Sequence, residues 1–259
     1  MRRNKPLSPR QSRSRPSAAV PGIVLALVLV CAGAVSVQSF RTHDFFKVKD
    51  IIIREGTKIR DDRDNDLKFL IGKNIFTLDL KKNVQFIQSM YPAYRTARLV
   101  KFLPNQMCLD LMKRNAVACV NTQPPLYIDD RMIFFEAVDP ASAQKLPLIS
   151  GIDTTNRNFR SGMRTSHAGV IFAVRLIQQV KENKVLQRYN IERVVVHDAV
   201  NASLYLSGPL EVRIGAGKLD DSLHILASLL NQVGNGVSNI EYIDLRFKDP
   251  VIRFKGKEA

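Results

Sequence analysis

From Ala18 to Val37 the chain reads AAVPGIVLALVLVCAGAVSV, twenty residues without a charge. A helix of that length extends roughly 30 Å, the hydrocarbon thickness of a bilayer. The segment before it carries Arg2, Arg3, Lys5, Arg10, Arg13 and Arg15 and no acidic residue. Positive charge beside an apolar span keeps its own side in the cytoplasm. The pattern predicts a cytoplasmic tail over 1–17, a membrane-spanning helix over 18–38 and one large extracytoplasmic body. A cleaved signal would have a shorter apolar run with a small-x-small site at its end, but here Ala32-Gly33-Ala34 lies inside the run. A lipoprotein signal would need a small residue where Val30 precedes Cys31. A retained anchor fits the stretch better than either. Pro21 falls in the first turn, where a proline sacrifices few hydrogen bonds.

The formal charge is +15, and without the six tail cations the rest of the chain still has 33 basic against 24 acidic residues. An excess of about +9 suits work beside an anionic membrane or wall polymer through salt-screened attraction. A nucleic-acid partner would require the basic body in the cytoplasm, which the topology opposes. The tail, rich in Pro, Ser and Arg, is expected to be disordered. Outside the span only Cys108 and Cys119 remain. An oxidising compartment would allow a disulfide between them; the alternative is two half-buried apolar cysteines on neighbouring strands.

The body begins with Phe46 to Gly56, a β-branched run that predicts a strand with Ile52 in a core, so that Ile52→Asp should unfold its module. Asp61, Asp62 and Asp64 would start a helix carrying Leu67, Leu70 and Ile71, ended by Gly72. A second helix, capped by Asp79 with Leu80, Val84, Ile87 and Met90 on one face, closes at Pro92. Strands at 95–103 and 106–114 follow, joined at Pro104-Asn105. The order is β-α-α-β-β.

From Ala116 the pattern changes to short strands at 117–120, 127–129, 132–135 and 146–150, with a loop over 140–145. A helix capped by Ser166 presents Val170, Ala173, Val174, Ile177 and Val180. Strands at 191–197, 203–206 and 211–214 precede a last helix, 219–233, ended by Gly234. Strands at 240–247 and 251–254 finish the chain. The fold class is α+β, with the second region a mixed sheet flanked by two helices.

Signatures of catalysis fail on inspection. Gly215-Ala216-Gly217-Lys218 lacks the distant first glycine of a phosphate loop, where Val212 stands, and the hydroxyl after the lysine, where Leu219 stands. It reads as a turn into the last helix. Asp62, Asp64 and Asp66 have the spacing that opens a calcium loop, but Leu67 replaces its glycine and Lys73 its distal glutamate. His43, His167, His197 and His224 show no metal spacing, and no nucleophile motif is present. No enzyme, cofactor, metal or small-molecule substrate is expected.

Several short motifs occur in a fixed order: Phe46-x-Val48-x-x-Ile51 with Gly56, then Gly72-Lys73-Asn74-Ile75-Phe76-x-Leu78-Asp79. Next come Tyr91-Pro92, Phe102-Leu103-Pro104-Asn105, Arg114-Asn115-Ala116-Val117-Ala118 and finally Tyr242-Ile243-Asp244-Leu245-Arg246-Phe247. With the basic tail and single span, this layout resembles the FtsQ/DivIB family of bacterial division proteins over 1–255. The departures are Ala116 where the family often has proline, Ala93 or Leu103 where it has tryptophan, and Arg131 where it has glycine. They mark a divergent member. The resemblance implies a POTRA-like domain over 45–115, an FtsQ/DivIB-type β domain over 116–255 and a short tail, 256–259. It further implies a single-pass protein of the cytoplasmic membrane at the division septum, non-enzymatic. Such a scaffold docks FtsB/FtsL-type partners and positions or restrains the septal peptidoglycan synthase complex. Carried onto this sequence, the partner-binding residues are Arg246, Phe247, Val251, Ile252, Arg253 and Phe254. Against this stands an internal ion pair in Asp244-Leu245-Arg246 that merely closes the sheet. Two other classes are a POTRA-bearing component of polypeptide secretion or outer-membrane assembly, and an anchored wall enzyme.

Overall fold

The computed structural model describes residues 19–60, 65–137, 146–155, 159–207 and 210–256. The basic tail, the acids at 61–64, the loop expected over 140–145 and the last three residues lie outside them. By internal contacts the chain divides into two compact units. One comprises Met1–Ile52, Asp62–Asp79 and Val100–Cys108, the other Ile53–Asp61, Leu80–Leu99 and Leu109–Ala259.

Helix α1, Ala19–Thr42, takes in the apolar run from Ala19 onward and continues four residues past the expected end. It is long and apolar enough to cross a membrane. Its last turn is held by Thr42 Oγ1 donating to the Gln38 carbonyl at 3.1 Å and His43 N donating to the Ser39 carbonyl at 3.0 Å. A 3-10 turn, Asp44–Phe46, follows at once and takes in Phe46, the first residue of the expected strand region, and His43 Nδ1 caps it by accepting from Phe45 N at 3.1 Å.

Strand β1 is Asp50–Glu55 and β2 is Lys58–Arg60. They form a hairpin in which Glu55 opposes Lys58. Gly56, read from sequence as the end of a strand, supplies the positive φ (59°) that the two-residue turn requires. Of the three isoleucines Ile53 is the buried one, 2% exposed, while Ile51 and Ile52 are half-buried. The first expected α-helix is a 3-10 helix, Asn65–Leu70. At three residues per turn Leu67 and Leu70 fall on one side, and both are buried. Helix α2 spans Leu80–Met90 with Ile87 fully buried. Strands β3, Tyr94–Phe102, and β4, Gln106–Lys113, complete a four-stranded sheet in the order β2-β1-β4-β3.

The second sheet has nine strands. Strands β5 (Ala116–Val120), β6 (Leu126–Asp129), β7 (Phe134–Phe135) and β8 (Leu148–Ser150) precede helix α3, Ala168–Glu182. Strands β9 (Ile191–Val196), β10 (Asn201–Leu206) and β11 (Leu210–Gly215) come next. Helix α4, Leu219–Val233, leads to β12 (Ile240–Asp244) and β13 (Val251–Phe254). The spatial order is β13-β12-β11-β10-β9-β8-β5-β6-β7. The pairs β5/β8, β8/β9 and β11/β12 are parallel and the rest antiparallel, a mixed sheet as expected. This is an α+β protein with an N-terminal apolar helix.

Helices α3 and α4 contact each other; α3 lies against β5, β9 and β10, and α4 against β11. Val170, Ala173, Val174, Ile177 and Val180 of α3, and Leu223, Leu226 and Leu230 of α4, join one buried cluster with the inward residues of the sheet. The cap of α3 is His167, not Ser166: its Nδ1 accepts from Val170 N at 3.4 Å. The strand expected over 132–135 shrinks to Phe134–Phe135 because Met132 takes a positive φ (63°) and Asp129 Oδ1 holds Ile133 N at 2.8 Å. Cys108 and Cys119 are not joined by a disulfide and lie on strands of different sheets, so the expectation of neighbouring strands fails. Burial raises the pKa of the Cys119 thiol.

Candidate functional site

The two ends of the nine-stranded sheet differ. Beyond β7 the chain folds back over the edge. Gly162 N donates to the Phe134 carbonyl at 2.7 Å, Phe134 N to the Met163 carbonyl at 2.9 Å, and Thr165 N to the Met132 carbonyl at 2.8 Å. Both residues of β7 are buried. At the other end β13 pairs only with β12 among the described strands. Its residues Val251, Arg253 and Phe254 are exposed. An open strand edge presents unpaired N–H and C=O groups to any extended chain.

The sequence expects a strand from Ile240 through Phe247, but β12 stops at Asp244. The Asp244 carboxylate accepts from Arg246 N at 3.1 Å, from its Nε at 3.0 Å and from its Nη2 at 2.6 Å. Those bonds turn the chain out of the ladder. Asp244 is buried, and the hydrogen bonds and charge of Arg246 hold its carboxyl below the usual carboxylate range. The internal ion pair weighed from sequence is therefore present. It also leaves Phe247 outside, 64% exposed, with the Arg246 guanidinium 5.7 Å from its ring centre. Beside them lies a groove of about 430 Å³ lined by Gly217, Lys218, Ile225, Arg246, Phe247 and Pro250 among others. The segment that imitates a phosphate loop is here a 3-10 turn, Ala216–Lys218, leading into α4.

All six residues picked from sequence thus lie at this end of the sheet, Arg246 and Phe247 on the turn and the other four on β13. Ile252 differs from the rest: it is half-buried and packs against the core. Its packing seats β13 on the core, and Val251, Arg253 and Phe254 remain exposed.

Sequence reasoning missed the polar ladder behind the edge, on the outward positions of β9 to β13. Ser203, fully buried, donates to Glu211 Oε1 at 2.8 Å and lies 2.9 Å from His197 Nε2. Arg213 Nε donates to the same carboxylate at 3.0 Å. Its guanidinium stacks 4.1 Å from the ring of Tyr242, and Arg253 of β13 sits 6.0 Å from that ring. Arg253 also pairs with Glu241 at 3.0 Å. The hydrogen bonds of Arg213 lower the Glu211 pKa. The alternation of Glu211 and Arg213 with Leu210, Val212 and Ile214 was the available signal. Ser203 stands between His197 and Glu211, whereas a nucleophilic relay places the histidine in the middle.

The same regions carry sequence likeness to known proteins. Residues 118–246 match the family model described as cell division protein FtsQ/DivIB, C-terminal. The chain belongs to the FtsQ/DivIB family. It is 22% identical over 250 residues to the cell division protein FtsQ of Geotalea daltonii, covering 96% of this chain and 90% of that one. It is 22% identical over 182 residues to the FtsQ of a Geobacter species, covering 70% of this chain and 65% of the relative. The FtsQ of Myxococcus fulvus is 22% identical over 172 residues, covering 63% of this chain and 56% of its own length. An FtsQ/DivIB chain has its role in cell division, among other division proteins. With one helix long and apolar enough to cross a membrane among the described residues, it is a single-pass membrane protein of that process. The family match ends at Arg246, before β13 begins.

Proposed function

We propose that this chain is a non-catalytic divisome scaffold that binds extracytoplasmic segments of FtsB/FtsL-type partners by strand addition to β13. The single observation that carries the reading is the contrast between the two sheet ends: β7 is covered by residues 162–165, and β13 has no second neighbour among the described strands. Backbone hydrogen bonds to the edge would supply affinity, and side-chain pockets would supply selectivity. Phe247, Val251 and Phe254, all exposed, are the apolar contacts, with Arg246 and Arg253 as charged hydrogen-bond donors. The ladder through Glu211, Arg213 and Tyr242 stiffens the strands behind the edge, so little ordering is left to the moment of binding. Docked there, the partners would position or restrain the septal peptidoglycan synthase complex. The cationic tail keeps the N-terminus in the cytoplasm and the body outside at the septum. Residues 45–115 act as a POTRA-like domain and 116–255 as the partner-binding domain.

The test is binding of FtsB and FtsL extracytoplasmic peptides to the full chain in nanodiscs, with Phe247→Glu and Phe254→Glu as variants. Burying one exposed phenyl ring is worth about 1.5–3 kcal/mol, so each variant should weaken binding by about 10- to 100-fold. Amide exchange at 251–254 should slow in the complex. Full binding by both variants, or unchanged exchange along β13, would move the interface elsewhere.

A further inference from the structure

The end of α1 is joined to the 74–77 turn by a built contact. Asn74, 8% exposed, donates from Nδ2 to the Phe40 carbonyl at 2.9 Å, satisfying an acceptor that the last helical turn leaves open. Its Oδ1 accepts from Phe76 N at 2.9 Å, so one side chain fixes the helix end and the 74–77 turn together. Ile75 N donates to the Phe46 carbonyl and Val48 N to the Lys73 carbonyl, both at 2.9 Å. Around this joint four phenyl rings touch edge-on: Phe46 lies 5.4 Å from Phe40, 5.2 Å from Phe45 and 5.1 Å from Phe76. Phe40 and Phe45 are each 53% exposed and Phe76 is 45% exposed, a large apolar surface for rings in mutual contact. Phe40, Phe45 and Phe46 also line a cavity of about 410 Å³ whose other wall is Val35, Ser36 and Ser39 of α1.

The helix itself fixes the depth of this cluster. About twenty residues of α1 span the hydrocarbon, which puts Phe40 at its extracytoplasmic boundary. Phe76 lies 6.4 Å from Phe40. The headgroup layer is about 5–8 Å thick on each side, so Phe76 stays within its reach while its contact with Phe40 holds, and Phe45 adjoins Phe46, whose ring is 5.4 Å from Phe40. Aromatic rings are favoured at that level, and the cations Arg41, Lys47 and Lys73 belong to the same segments. We infer that Phe40, Phe45 and Phe76 form an interfacial anchor that seats the 72–77 turn in the phospholipid headgroup layer of the bilayer α1 crosses. The 72–77 turn is thereby held at the lipid surface beside the end of α1.

This rests on α1 spanning the bilayer, and one experiment separates the two claims. The chain contains no tryptophan, so Phe45→Trp, Phe76→Trp and, as depth control, Leu27→Trp each report without background from the full chain in phospholipid vesicles. Lipids are brominated either near the headgroup end of the acyl chain or near its terminal methyl. Leu27→Trp should be quenched best by the deep bromine. Phe45→Trp and Phe76→Trp should be quenched by the shallow bromine at least about twofold better than by the deep one. Adding Asn74→Leu to Phe76→Trp should lower that quenching and leave the Leu27→Trp signal as it was. Quenching of Leu27→Trp alone would overturn the anchor and leave the span intact. No quenching at any of the three would overturn both.

Discussion

Arg114 and Asp129 make the most sharply testable contact in the body. Arg114 Nη1 donates to Asp129 Oδ2 at 2.6 Å, with the two side chains 11% and 1% exposed. Asp129 Oδ1 meanwhile accepts from Arg131 N at 3.0 Å and Ile133 N at 2.8 Å, and Arg114 Nε donates to the Pro92 carbonyl at 2.7 Å. Asp129→Ala removes the acceptor for two turn amides and strands a guanidinium that water barely reaches. Removing one partner of such a pair costs about 3–5 kcal/mol. For a body of this size that lowers the melting temperature by about 6–20 °C. Asp129→Asn keeps an oxygen for the two amides and loses the charge, so its cost should be about 1–3 kcal/mol. Adding Arg114→Met to Asp129→Asn should recover part of that loss, because the unpaired charge goes with it. The assay is thermal unfolding of the full chain in detergent by circular dichroism, with amide exchange over 126–135 to localise the change. If Asp129→Ala stays within about 1 kcal/mol of the unaltered chain, or Arg114→Met merely adds its own cost, the contact is not what orders this turn.

Gly151, at φ 79°, has Val196 backbone where a Cβ would point, so Gly151→Ala should destabilise by more than about 1–3 kcal/mol, read by the same melt. Ile53→Asp should unfold its sheet where Ile52→Asp costs less, because Ile53 is the one fully enclosed; exchange of the β1 and β4 amides distinguishes them. Glu211 and Asp244 both have lowered pKa values, held down by Arg213 and Arg246 respectively. A carboxyl whose folded pKa lies below its unfolded one stabilises above the unfolded value, and the gain is lost as pH falls through the folded value. Melting temperature should therefore fall below about pH 4, and Glu211→Gln should flatten that acid limb.

How much of this was legible depends on the range of the interactions. Helices α2, α3 and α4 were set by local periodicity and local stops, and the sequence located each within a residue or two. The hairpin β1–β2 was not seen because Lys58 and Arg60 flank a single isoleucine and show no apolar face. The segment 65–70 has helical spacing for three and four residues alike, and burial of Leu67 with Leu70 selected the tighter winding. His167 capped α3 through a ring nitrogen, a role for which serine beside it was the stronger sequence candidate. The early end of β12 came from Asp244 bonding its own neighbour, Arg246, which apolar alternation through Phe247 conceals. Strand order in the large sheet joins β5 to β8 and β11 to β12 in parallel, and no local pattern encodes such distant pairings. The candidate edge was found from family motifs, and its openness only from the sheet.

A sheet sealed at β7 and exposed at β13 has a valence of one. It can be lengthened by a single strand, and whatever takes that place sets the occupancy of that sheet. A second copy laying its own β13 alongside would exclude every other strand, so self-association and partner capture are competing states of one edge. If partners dock on β13 as proposed, raising the concentration of the protein by itself should act as an inhibitor of its own recruitment of partners, with no separate inhibitory site required.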